Sequence, residues 1–161
     1  MKRLLSLFLI LALLFCFSAC GIEGTGLPDT PPQTTVQTQP SETDTALDEE
    51  GTYDSKEDVA LYIHQYGKLP QNFMTKSEAK AQGWRGGALS NTLPGKCIGG
   101  DIFQNREGLL PKKEGRQYYE CDIGTLSTTS RGALRIVFSN DGLVYYTSNH
   151  YESFELLYGE P

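Results

Sequence analysis

Nothing between Gly21 and Tyr53 carries a positive charge, and large apolar side chains are sparse there, so the foldable part of this chain comes after that stretch. The segment is rich in Thr, Pro, Gln, Asp and Glu, with seven acids and no Lys or Arg. Chain of this composition cannot bury enough surface to offset its conformational entropy, and 21–53 reads as a disordered tether. A tether of that length has a root-mean-square reach of roughly 30 Å. Ahead of it, Lys2 and Arg3 precede an apolar run from Leu4 to Phe17, followed by Ser18-Ala19-Cys20. A basic start, an apolar stretch too short to span a bilayer comfortably and small residues at its end read as an export leader over 1–20. Cys20 falls where a lipoprotein leader is acylated. Phe17 stands where Leu is more usual, and ordinary cleavage near Ala19 is the alternative.

The remaining residues, 54–161, hold 13 acids and 12 bases. The net charge of −6 therefore belongs to the tether and does not argue against an anionic substrate. A near-neutral domain does argue against tight non-specific binding to long nucleic acid, which needs many phosphate contacts. A stretch of this length supports a single modest core.

Apolar spacing predicts a helix over Lys56–Tyr66, capped by Asp54 or Ser55 and ended at Gly67. Thr75-Lys76-Ser77-Glu78 is a capping box that opens a second, short helix, closed by Gly83. Lys76 in its first turn opposes the helix dipole, a small cost that argues for a role beyond solvation. From Pro94 onward the period changes to two. Strands are expected over Cys97–Phe103, Gln117–Ile123, Leu134–Ser139, Leu143–Ser148 and Phe154–Tyr158, with Asn140-Asp141-Gly142 as a hairpin turn. The pattern is that of an α+β domain with N-terminal helices packed on one face of a multi-stranded antiparallel sheet. The Gly99-Gly100 pair inside the first strand marks a bulge or a close backbone approach.

Alternation along Arg116–Asp122 places Arg116, Tyr118, Glu120 and Asp122 on one strand face, and Arg135 on the next strand is expected to point away from the core. Two guanidiniums and a carboxylate there suit a phosphodiester, although a solvated face with surface ion pairs has the same pattern. Of the two histidines, His64 falls on the polar side of the first helix. His150 lies in a loop between strands, where with a carboxylate it would form an acid–base pair. No Cys/His cluster has metal-ligand spacing, and Asp101 is a lone acid, so no metal or other cofactor is implied.

Lys68-Leu69-Pro70, Thr75-Lys76-Ser77-Glu78-Ala79, Gly83-Trp84, the whole of Pro94–Pro111, Glu120-Cys121-Asp122, Arg131, Arg135-Ile136 and His150-Tyr151 occur together in one order. In that order and approximate spacing the chain resembles the barnase family of secreted bacterial ribonucleases, over nearly all of 54–161 and none of the tether. The resemblance implies the microbial ribonuclease fold and cleavage of single-stranded RNA after guanosine. It makes Glu120 the general base, His150 the general acid, and Lys76, Arg131 and Arg135 the cations that stabilise the phosphoryl charge. It assigns base recognition to Asn105, Arg106 and Glu107 in the loop after Phe103, with Tyr151 as a stacking aromatic; Asp101 is expected to bind substrate as well. It further implies a barstar-like inhibitor protein as a partner. The chain is expected to be a monomer, attached to a membrane only through an N-terminal lipid if Cys20 is acylated. The competing expectation is a non-catalytic ligand-binding or interaction lipoprotein on the same fold.

Cys97 and Cys121 depart from that family pattern. They lie on two strands expected to be neighbours, in an exported protein where oxidation is permitted. A disulfide between them would contribute on the order of 3 kcal/mol; two small buried thiols are the alternative.

Overall fold

The computed structural model describes residues 46–161, so the expected leader, Cys20 and most of the expected tether lie outside the described residues. Helix α1 spans Lys56–Tyr66. Ser55 caps it by accepting from the Asp58 N–H, and Gly67 leaves it in the left-handed conformation. Helix α2 spans Lys76–Ala81 and opens with the complete capping box of Thr75 and Glu78. Six strands follow or intervene: β1 (Phe73–Met74), β2 (Cys97–Phe103), β3 (Tyr118–Asp122), β4 (Arg135–Ser139), β5 (Val144–Thr147) and β6 (Glu155–Tyr158). They form one sheet in chain order. Only β1 pairs in parallel, with the start of β2, and the other pairings are antiparallel.

The fold class is the expected α+β, and the five expected strands are present with ends shifted by at most a residue or so. The two-residue β1 was not expected, because so short a strand leaves no period to read. The packed chain also starts before Asp54. Leu47 N–H donates to Gln65 Oε1 at 3.0 Å, Tyr62 donates to the Glu49 carbonyl at 2.8 Å, and Lys68 pairs with Glu49 at 2.6 Å. Residues 47–53 have a tether's composition but are held by backbone groups, which hydropathy does not register.

The two sheet faces carry different cores. On one, Val59, Ala60 and Ile63 of α1 pack against Cys121, Ile136, Phe138 and Val144. On the other, Tyr118, Val137, Leu143 and Tyr145 pack with Leu110, Phe103 and Tyr151. A third cluster joins Ala79 of α2 to Trp84, Leu89 and Ile98.

The glycine pair in β2 does both things the sequence allowed. Gly99 lies opposite Cys121, where a β-carbon would come within 2.6 Å of the Cys121 Cβ. Gly100, at φ 93°, is the extra residue of a bulge, after which Asp101 faces Glu120. This register also settles the cysteines: both are buried and free. The partner of Cys121 is Gly99, two residues beyond Cys97, and such diagonal neighbours stand about 7–8 Å apart, too far for a bridge. The Cys97 thiol is instead 3.4 Å from Thr125 Oγ1, and burial pushes both thiols up.

At the β4–β5 hairpin, Asp141 accepts from Arg116 Nε at 2.9 and 3.0 Å and from Ser139 Oγ at 2.6 Å. These bonds, Arg116's first, hold its carboxyl well below the usual range. Its stabilising effect is complete above the ordinary Asp value of about 4 and is lost as the pH falls below it. Asp141→Asn should therefore lower Tm by about 5 °C at neutral pH, with the difference from wild type shrinking as the pH drops toward 2. Thermal melts at stepped pH measure this, and a constant offset would refute it.

Candidate active site

Glu120 is in the middle of β3 with a side chain only 13 % exposed. Strand alternation turns it away from α1, onto the face of Tyr118 and Val137. Two donors hold its carboxylate: Lys76 Nζ on Oε1 and the Tyr151 hydroxyl on Oε2. Lys76 reaches it because Asp101, brought opposite Glu120 by the bulge, accepts the Lys76 backbone N–H at 3.0 Å. Asp101 Oδ2 is also 3.8 Å from Lys76 Nζ. Asp101 thus anchors the start of α2. The unfavourable place of Lys76 at a helix start is explained by these two carboxylates.

Below Glu120, Asp122 is fully buried and joins both arginines. Arg131 grips it through Nε at 2.6 Å and Nη2 at 2.8 Å. Arg135 Nε lies 3.0 Å from Asp122 Oδ1, a charge contact in which the N–H is not aimed at the oxygen. The terminal nitrogens of Arg135 donate to the carbonyls of Arg131, Gly132 and Leu134 at 2.7–3.1 Å. Arg135 is 2 % exposed, which corrects the expectation of a side chain on a solvated sheet face. The loop 131–134 closes over it. Arg116 is corrected too: it turns to Asp141 at the hairpin and takes no part in this cluster.

His150 and Tyr151 follow β5 in consecutive left-handed conformations, φ 57° and 76°. Thr147 Oγ1 accepts the Tyr151 N–H at 3.0 Å, and the Ala133 carbonyl accepts that of His150 at 3.3 Å. The Tyr151 ring packs 5.1 Å from Phe103 and 4.9 Å from the His150 ring, centroid to centroid. Burial, and then its bond to Glu120, push the Tyr151 phenol well above its ordinary value, so it stays a proton donor. The exposed His150 is tied to Glu120 through this tyrosine.

The loop after β2 keeps its shape through Asn105. Its side chain accepts from the Leu110 N–H at 3.0 Å and donates to the Leu110 carbonyl at 2.8 Å. With its amide so engaged, Asn105 can offer a ligand its backbone, while Arg106 and Glu107 stand exposed at the tip. Among the described residues no group of three or more His, Cys, Asp and Glu side chains is placed to hold a metal ion.

The ribonuclease family model matches residues 55–158. This chain belongs to the ribonuclease family. It is 49 % identical over 98 residues to a ribonuclease of Heyndrickxia coagulans, covering 60 % of this chain and 89 % of that relative. The guanyl-specific ribonuclease St of Saccharopolyspora erythraea is 46 % identical over 57 residues, 35 % of this chain and 56 % of that one. A solved ribonuclease Sa2 structure, in complex with mononucleotides, matches at 35 % identity and a TM-score of 0.32, over 36 % of this chain and 60 % of that one. The chain is accordingly an endoribonuclease.

The residues missed in the sequence are Asp122 and Thr147. Asp122 had a signal: alternation placed its charge on the strand face shared with two arginines. Thr147 had none. Removing the counter-charge should be costly, because two guanidiniums would be left against a neutral group. Asp122→Asn should lose about 3 kcal/mol of stability in urea unfolding. A loss under about 0.5 kcal/mol would mean that the ion cluster is not what holds the 131–135 segment.

Proposed function

We propose that this enzyme cuts single-stranded RNA on the 3′ side of guanosine, without a metal, by transphosphorylation followed by hydrolysis. The observation that carries the reading is a carboxylate, Glu120, held between two donors beside a cluster of cations and linked through Tyr151 to a histidine. Glu120 takes the proton of the 2′-hydroxyl, and the 2′-oxygen attacks phosphorus. His150 protonates the departing 5′-oxygen, leaving a 2′,3′-cyclic phosphate. Water then opens the ring with the two roles exchanged. Lys76 and Arg131 face the charge that builds on the phosphoryl oxygens, and Arg135 adds its field from beneath. Tyr151 keeps the Glu120 carboxylate oriented for proton abstraction.

Guanine preference rests on the loop after β2. Guanine offers adjacent N1–H and N2–H donors, which the Glu107 carboxylate can accept together, while backbone N–H groups at Asn105 and Arg106 meet O6. The Asn105–Leu110 bonds keep that backbone in place, and Tyr151 offers the base a ring to stack on. The guanyl-specific relatives support this reading.

We further propose an exported monomer organised as a leader over 1–20, a tether and a ribonuclease domain. It would be freely secreted or held at the bacterial surface by a lipid on Cys20, with a barstar-like inhibitor protecting the cell that makes it. The basic and apolar N-terminus supports export.

Product analysis on a short single-stranded RNA tests the chemistry. Wild type in EDTA should yield 2′,3′-cyclic phosphate ends after G. Glu120→Ala and His150→Ala should each lower kcat by at least about 100-fold. Glu107→Gln should narrow the margin of G over A by about 10- to 100-fold with less effect on kcat. Intact RNA with wild type, or equal cutting by the Glu120 and His150 variants, would defeat the mechanism.

A further inference from the structure

A cleft of about 400 Å³ opens between the loop after β2 and the start of β3. Asn105, Lys112, Lys113 and Arg116 line it, and Tyr118 and the 55 % exposed Ile102 border it too. No acidic side chain lines it, nor does any member of the catalytic cluster, nor Glu107 or Tyr151. Its charge is unbalanced. Asp141 neutralises Arg116 through bonds of 2.9 and 3.0 Å, and Lys113 reaches the same carboxylate at 3.4 Å while remaining 66 % exposed. Lys112 has no ion pair among the described residues. The cleft therefore has an excess of positive charge in a domain that is otherwise close to neutral. Its volume is that of a small-ligand site, and apolar surface bordered by cations suits a nucleotide.

We propose that this cleft is an extended-substrate subsite, receiving the phosphate and base of a nucleotide that flanks the guanosine at the cut. The inference rests on the proposed function and goes beyond it. Its physical basis is continuity: Asn105 belongs both to the cleft and to the loop that would hold the guanine, so one RNA strand can occupy both. Lys112 and Lys113 then act on binding of the chain and not on the chemical step. Arg116, locked to Asp141, shapes the cleft and contributes little net charge.

The full chain and its Lys112→Ala/Lys113→Ala variant decide the matter on two substrates, guanylyl-(3′,5′)-uridine and a seven-nucleotide RNA with one central G. Both lysines are exposed, so the variant keeps the fold. On the longer RNA its KM should rise about 3- to 10-fold at unchanged kcat, and its salt dependence should flatten by about one unit of slope per lost phosphate contact. On the dinucleotide its kinetics should match wild type. An equal effect on both substrates, or none on either, overturns the proposal. So does loss of uridine 5′-monophosphate binding in calorimetry while both RNAs are cut as by wild type, which would assign the cleft to a free nucleotide. Wild type that cuts neither RNA would overturn the proposed function and this subsite with it.

Discussion

The register between β2 and β3 is the constraint on which the rest of this molecule depends, and one glycine sets it. Gly100 adds a residue to β2 without adding a partner, so Gly99 faces Cys121 and Asp101 faces Glu120. Without that extra residue the pairing would shift by one, and every β2 side chain beyond it would change face. Asp101 would then leave the start of α2, and Lys76 would lose the anchor that brings it to Glu120. Any L-residue at Gly100 would be strained at φ 93°, and one at Gly99 would collide with Cys121. Two adjacent positions thus allow glycine alone, for different reasons.

A second dependence runs through buried charge. Asp122 balances Arg131 and Arg135, and Arg135 in turn gathers the carbonyls of the 131–134 loop. The same loop offers the Ala133 carbonyl to the His150 N–H. The cations and the histidine therefore share one support, from β3 through the loop to the turn after β5. Burying a guanidinium is expensive unless it is both paired and hydrogen-bonded, and Arg135 has an acid beside it and three carbonyls around it. This is why a solvated face of weak surface pairs is the wrong description of these residues.

Much of this was legible in the sequence because it depends on periodicity and caps. The period-two runs, the Thr75–Glu78 capping box, the Asn140-Asp141-Gly142 hairpin and the paired glycines each have a local cause, and each appears where expected. Alternation alone put Glu120, Asp122 and Arg135 on one face. What alternation lacks is the third dimension. It could not say that the 131–134 loop closes over Arg135, that Arg116 turns to Asp141, or that Asp101 accepts from the start of a helix. Nor could it extend the packed chain back to Leu47, where the holding groups are backbone carbonyls. The cysteines were misplaced for a related reason: neighbouring strands were correct, but their register leaves the two thiols diagonal.

The turn at His150 and Tyr151 shows how the parts combine. Two successive non-glycine residues with positive φ are costly, each on the order of 1 kcal/mol or more. The local support is the Thr147–Tyr151 bond, the Thr147–Asn149 bond and the Asn149–Ser153 contacts. The remaining support is tertiary: Tyr151 is buried against Phe103 and donates to Glu120, while His150 N–H is held by the loop over Arg135. Core packing and the site's own hydrogen bonds thus hold a strained turn that leaves the imidazole exposed and packed on the ring of the tyrosine that donates to Glu120. The bonds that keep the turn in a conformation it would not adopt alone are the same ones that set the Tyr151 hydroxyl on Glu120 and fix the backbone of His150.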